Sequence, residues 1–214
     1  KVTLFLISAG FAEILLVGSA VLMNIPIPLI AVQLLWLNLV TNGIQDVALA
    51  FEAGEKGLMN LPPRRPTEGI FNRKMIEQVL ISGLSIAIVH IIAWRILLNR
   101  GIEVQEARNI LLSMLIVMKA YYVLSCRSEY ISVFRIPFRN NRILIVGIVV
   151  ALSVHILAGH TPFISSVLGI GPLPLKYWLC FAGIGSLIIV IMEIYKWLRR
   201  SDLKVPQASE FQKA

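Results

Sequence analysis

Charge is scarce in this sequence. Asp, Glu, Lys and Arg make up only 15% of its 214 residues, where a soluble domain carries about 25%. Such a deficit excludes an ordinary water-soluble enzyme. Cysteine is scarce too. Cys126 and Cys180 lie far apart in the chain, which excludes a disulfide-stapled secreted domain. Acidic residues are outnumbered, 12 against 20 basic ones, for a formal charge of +8. That excess would suit nucleic acid, but the basic residues fall between long apolar runs rather than along one face, so no nucleic-acid partner is expected. The sequence does have apolar side chains in abundance, 57% of residues, with a mean hydropathy of +0.79. The composition is that of a protein built into a bilayer.

Six apolar runs are close to the roughly 20 residues that a helix needs to cross about 30 Å of hydrocarbon: 4–23, 29–50, 75–98, 107–126, 143–158 and 175–198. The runs are continuous rather than alternating, which favours helices over a β-barrel. The expected fold is therefore all-α, a polytopic bundle of six transmembrane helices spanning residues 1–200, with a polar tail at 201–214. Residues 24–28, Asn-Ile-Pro-Ile-Pro, form a tight turn between the first two spans. Lys1 leads straight into an apolar run, so the chain is expected to be part of a longer one. Lys and Arg concentrate on the cytoplasmic side of membrane proteins. With the start inside, fifteen basic residues lie on the inner side (Lys1, Lys56, Arg64, Arg65, Arg73, Lys74, Arg127, Arg135, Arg139, Arg142, Lys196, Arg199, Arg200, Lys204, Lys213). Four lie outside (Arg95, Arg100, Arg108, Lys176). Both termini are thus expected to be cytoplasmic, in a plasma or inner membrane.

Polar residues in mid-membrane are costly and mark function. The second run holds Asn38, Thr41, Asn42, Gln45 and Asp46, at helical offsets that share one face, with Gly43 among them. This oxygen-rich set suits a hard cation; the plainer role for such side chains is to hold helices together by hydrogen bonds. Glu13, with Ser8 and Gly10 nearby, lies ten residues into the first run, and the short turn lets it meet the Asn38–Asp46 face in an antiparallel hairpin. Lys119 is the third oddity. Its ammonium either pairs with Glu13 or Asp46, filling a place that a metal ion would otherwise take, or snorkels to an interface marked by Tyr121, Tyr122 and Arg127. Glu77 and Glu193 sit close to the inner surface, Trp178 and Trp197 read as interfacial anchors, and His90 and His155 lack metal-ligand spacing.

Residues 32–43, Val-Gln-Leu-Leu-Trp-Leu-Asn-Leu-Val-Thr-Asn-Gly, resemble the sixth membrane helix of P-type cation pumps of the calcium-ATPase class, roughly Q-L-L-W-x-N-L-V-T-D-G. Residues 58–66, Leu-Met-Asn-Leu-Pro-Pro-Arg-Arg-Pro, are similar to that family's loop M-x-R-P-P-R-x-P, and Leu6-Ile7-Ser8 with Glu13 resembles the fifth helix, L-I-S-S-N-x-x-E. Six spans with both ends inside then match helices five to ten. The resemblance implies that Glu13, Asn38 and Thr41 stand at ion-ligating positions and would be the metal ligands. Asn42 departs from the usual Asp, and Asp46, about 6 Å further along the helix axis, is an imperfect replacement. Aligning Ser128-Glu129 with the family's S-E places Lys119 at a ligating Glu position. With one carboxylate exchanged for a cation and another for an amide, the resemblance implies at most one divalent ion, a monovalent ion or a proton.

The family's phosphorylation motif D-K-T-G-T is absent, as is any Walker-type phosphate loop. The chain alone is expected to be inactive toward ATP and to bind no cofactor. In the parent pump, Mg-ATP would act in domains outside this chain, and Pro62, Pro63 and Arg64 would face those domains as a cytoplasmic coupling loop. The expected partners are lipid, N-terminal helices and cytoplasmic domains. Two other readings stay open from the residues: an ATP-independent channel or secondary transporter using the same site, and a membrane scaffold.

Overall fold

Long apolar runs without interior proline have one way to satisfy their backbone groups in hydrocarbon, and they take it. In the computed structural model, which describes residues 1–54, 71, 73–129 and 131–199, every regular element is helical and no strand occurs among the described residues. The chain runs through α1 (Val2–Leu22), α2 (Ala31–Leu37), a π-helical segment (Asn38–Asn42), α3 (Gly43–Ala50), α4 (Arg73–Asn99), α5 (Val104–Ser125), α6 (Arg142–His160), α7 (Pro162–Leu168) and α8 (Leu175–Leu198). Two 3₁₀ turns, Val133–Arg135 and Phe138–Asn141, lead into α6.

Among the described residues five helices are long and apolar enough to cross a membrane: Val2–Leu22, Arg73–Asn99, Val104–Ser125, Phe138–His160 and Leu175–Leu198. They correspond to five of the six expected runs, within a few residues at most ends. The fifth run is longer than its apolar stretch suggested, because Arg142 and the turn before it extend the helix. The second run, 29–50, differs. It is helical from Ala31 to Ala50, but the π-helical segment divides it into α-helical pieces of 7 and 8 residues. The sequence also gave no sign of α7, which starts on Pro162 and ends at Gly169 in the left-handed conformation.

The helices are tied at both ends of the bundle. At the end where the chain begins, the proximal end, Lys1 Nζ donates to Ala53 O at 3.0 Å and Arg199 Nη2 donates to Glu77 Oε2 at 2.7 Å. At the distal end Trp94 Nε1 donates to Pro26 O, Arg108 Nε to Ile27 O, and Gln33 Nε2 to Leu168 O. The middle is held by packing around α5, whose Leu111, Leu112, Ile116 and Met118 are wholly buried. Outward faces stay apolar: Ile14, Leu39, Ile92, Leu157 and Leu179 are all exposed, as lipid-facing side chains are.

Where helices cross closely, the contact residue is small. Gly83 of α4 lies against α1, and a Cβ there would come within 2.6 Å of the Phe11 ring and 3.3 Å of Ser8 O. Gly185 of α8 lies against α5, where a Cβ would meet the Tyr121 ring at 2.8 Å. Gly83→Leu should therefore push α1 from α4 and destabilise the bundle by about 1–3 kcal/mol. Gly10→Ala, whose added Cβ meets nothing within 4 Å, should be silent. Thermal unfolding in detergent, with both variants side by side, measures the difference; equal midpoints would contradict this packing.

Candidate functional site

The site forms where the second apolar run stops being an α-helix. Asn38, Val40, Thr41 and Asn42 are weak helix formers, two of them β-branched and two with side chains that compete for backbone groups. Both kinds of competition are present. Thr41 Oγ1 donates to Leu37 O, and Asn38 Nδ2 donates to Leu34 O at 3.0 Å. The Gly43 N–H then reaches back to Asn38 O, a five-residue span that defines the π turn. The turn holds one extra residue, so the five polar side chains do not all face the same way. Thr41, Asn42 and Gln45 are buried, Asp46 is half-buried, and Asn38 is exposed.

Around this turn four side chains close a ring. Lys119 of α5, wholly buried, forms an ion pair with Glu13 Oε1 of α1 and donates to Asn42 Oδ1 at 3.3 Å. Glu13 Oε2 accepts from Asn38 Nδ2 at 3.3 Å. Asn42 Nδ2 donates to Asn38 Oδ1 at 2.5 Å, which completes the circuit. The amide orientations follow from charge: an ammonium needs the Asn42 oxygen, and that turns the Asn42 nitrogen toward Asn38. Thr41 Oγ1 touches the ring through Asn42 Oδ1 at 3.4 Å.

Three elements carry this ring, and each matters electrostatically. A lone buried carboxylate or ammonium costs several kcal/mol, and a pair is tolerated only with its remaining polar atoms hydrogen-bonded. Here the carboxylate oxygens are matched by Lys119 and Asn38, and the ring is neutral overall. Asp46 brings a second negative charge within electrostatic reach of Lys119, and its Oδ1 is buried without a hydrogen-bond partner among the described residues. The neighbouring Gln45 is wholly buried with both amide atoms unpartnered. Chemically, the ring joins a carboxylate and two amides to a tethered ammonium.

Of the sequence-predicted residues, Glu13, Asn38, Asn42 and Lys119 come together directly, with Thr41 at the edge and Asp46 one turn further along α3. Lys119 does not snorkel. Of the residues that would have marked its interface, Tyr122 is buried, and its OH bonds Ser8 Oγ at 2.8 Å and Ser82 Oγ at 2.9 Å, which also removes Ser8 from the ion site. Arg127 is buried as well, donating from Nε and Nη2 to the two Glu52 oxygens at 2.9 and 3.1 Å and to the carbonyls of Ile136 and Pro137. Glu77 pairs with Arg73 and Arg199, and Glu193 accepts the Val133 N–H. Trp178 packs edge-on against His155. Pro62, Pro63 and Arg64 lie outside the described residues. Among the described residues no group of three or more His, Cys, Asp or Glu is placed to hold a metal. The Glu52–Arg127 clamp was missed because an Arg just past a helix end reads as a topology charge; only its carboxylate partner, 75 positions away, distinguishes the two.

Known proteins place this arrangement in a family. Residues 26–198 match the model of the cation transporting ATPase C-terminus. The calcium-transporting ATPase of Bacillus subtilis (strain 168) is 36% identical over 137 residues, covering 64% of this chain and 15% of that protein. The probable cation-transporting ATPase F of Mycobacterium tuberculosis is 27% identical over 199 residues, 92% of this chain and 22% of that protein. The human calcium-transporting ATPase type 2C member 1 is 27% identical over 202 residues, 94% of this chain and 22% of that protein. The chain thus spans between 15% and 22% of the length of these relatives. The resemblance read from the second apolar run is borne out: this chain belongs to the C-terminal membrane domain of the P-type cation-transporting ATPases.

Proposed function

We propose that this chain is the cation-binding and translocation part of an ATP-driven cation pump, with Lys119 as a built-in counter-charge. The observation that carries the reading is the buried ion pair of Lys119 and Glu13 beside the π turn at Asn38–Asn42. A π turn shifts backbone carbonyls out of the regular α-helical ladder and recurs at functional sites, which suits a place where an ion is coordinated. Glu13, Asn38, Thr41, Asn42 and Asp46 supply the oxygens. With 31–50 counted as one broken span, the chain crosses the bilayer six times with both ends cytoplasmic. The proximal end then faces the domains in which Mg-ATP phosphorylates an aspartate, and the 62–64 segment couples to them.

The transported cation is calcium or another cation of similar hardness, and charge restricts its number. Glu13 and Asp46 contribute two negative charges and Lys119 returns one, so these helices leave a net charge of −1. A second divalent ion in this environment would be uncompensated and costly. When the cation leaves, the ammonium stays against Glu13, so the emptied site needs no exogenous counter-ion at that carboxylate.

Two predictions follow from the ion pair. Lys119→Ala alone leaves Glu13 buried and unpaired and should cost about 3–5 kcal/mol, most of it recovered in Lys119→Ala/Glu13→Gln; thermal unfolding of the three proteins tests this, and additive losses would contradict the pairing. In the complete pump, Lys119→Ala should also make transport depend on an exogenous counter-ion. Unchanged counter-transport and stoichiometry in reconstituted vesicles would sink the counter-charge role. A third concerns the ligands. Glu13→Gln and Asp46→Asn should each weaken cation-stimulated phosphorylation by about tenfold or more in apparent affinity. Wild-type affinity in both would leave these residues a purely structural part.

A further inference from the structure

The distal half of the broken helix has an attachment that the ion site does not explain. Trp36 lies in α2, two residues before the π turn begins at Asn38. Its indole N–H donates to His155 Nδ1 of α6 at 3.3 Å. An indole is only a donor, so this nitrogen of His155 is bare and the ring is neutral, with its proton on Nε2. That proton is donated to Ser113 Oγ of α5 at 3.0 Å. The Ser113 hydroxyl donates in turn to Asn109 O at 2.9 Å, and the Asn109 amide donates to Gly171 O at 3.0 Å. Every donor in this chain is used in one direction, from α2 through α6 and α5 to the segment before α8.

His155 is 3% exposed, and the Trp178 ring stands edge-on to it with centroids 6.3 Å apart. A cavity of about 40 Å³ beside it is bordered by Asn109, Ser113, His160 and Trp178. That volume admits a water molecule and hence proton exchange with the ring. The groups facing His155 from other elements are Trp36 of α2, Asn109 and Ser113 of α5 and Trp178 of α8, none of which ionises near neutral pH. On the cavity wall the other titratable side chain among the described residues is His160, an exposed residue of α6 itself.

We propose that His155 is a positioning residue: its neutral ring holds Trp36, and through it the distal half of the broken helix, in the register that sets Asn38 against Glu13, and protonation of the ring releases that hold. A protonated imidazole has two N–H donors and no acceptor. Its Nδ1–H would then face the indole N–H, donor against donor, inside a part-buried contact. The consequence is a loss of cation affinity as protons rise on the distal side, with the phosphorylation chemistry untouched. The inference rests on the pump reading above.

The test uses the complete pump in proteoliposomes, with ATP hydrolysis measured against cation concentration at several distal-side pH values. Trp36→Phe and His155→Leu should each raise the half-saturating cation concentration about tenfold, since each leaves a buried polar group unpaired. Maximal rate should stay within about twofold. The double variant should be no worse than either single one, because both remove the same bond. His155→Gln keeps one acceptor and one donor without titrating, so it should retain affinity at neutral pH and lose the acid sensitivity of the unaltered pump. A cation-activated pump whose Trp36→Phe and His155→Leu forms match the unaltered protein overturns this inference alone, as does a His155→Gln form with the original acid response. No activation of the unaltered pump by Ca2+, Mn2+, Na+ or K+ overturns the pump reading, and this inference with it.

Discussion

An ammonium group buried among apolar helices must be neutralised by its surroundings, and the side chains around Lys119 are arranged by that demand. Glu13 of α1 supplies the charge, and Asn42 supplies a second acceptor. Asn38 occupies the carboxylate oxygen that Lys119 leaves free. An unbroken α-helix over 31–50 would carry Asn38 and Asn42 as ordinary turn neighbours. The π turn adds a residue, and it bonds Asn38 and Asn42 to each other while both face the same ion pair. The break is stabilised locally by Thr41 and Asn38 bonding backward to Leu37 O and Leu34 O. What the helix gives up in regularity it regains in a closed hydrogen-bonded ring.

A helix broken at its centre has two halves that need separate support. The distal half is held by Trp36 on His155 and by Gln33 on Leu168 O. The proximal half is held by Asn141 Nδ2 on Ala48 O at 2.9 Å, and the residues just beyond it by the Glu52–Arg127 clamp. Arg127 binds both Glu52 oxygens and two loop carbonyls, and the Phe138 ring lies 6.0 Å from its guanidinium. Such a bidentate pair fixes geometry as well as charge. Lys196 extends the same proximal network by donating to Ser125 O at 3.0 Å, which caps the last turn of α5.

The helices themselves were legible in the sequence because hydrophobic length is a strong signal. The second run shows the limit of that signal. Its length and hydropathy describe a single span, and its polar residues at helical offsets suggest one face, yet the π turn divides the span and leaves Asn38 exposed while Thr41, Asn42 and Gln45 are buried. Nothing in a hydropathy profile registers one inserted residue. Glu13, Asn38, Asn42 and Lys119 stood out because charge and amide groups in mid-membrane are expensive, so their convergence was readable in kind. Which of the open partners Lys119 takes was not, because pairing depends on how α1, α3 and α5 pack. Arg127 and His155 were opaque for the same reason. Each has an ordinary sequence context, and only a partner more than 70 positions away gives it a role.

Within the family the chain belongs to, Asn42 and Lys119 are proposed to take the places where the resembling pattern carries carboxylates. The two residues are directly bonded, Lys119 Nζ to Asn42 Oδ1, so the amide serves the ammonium within one hydrogen-bonded ring. The central claim is that a tethered ammonium holds a place a cation would otherwise fill. Counting cations occluded per phosphoenzyme in the complete pump, by equilibrium binding of a radioactive cation, tests that claim most directly. A built-in counter-charge predicts at most one divalent ion per phosphoenzyme; two would contradict it.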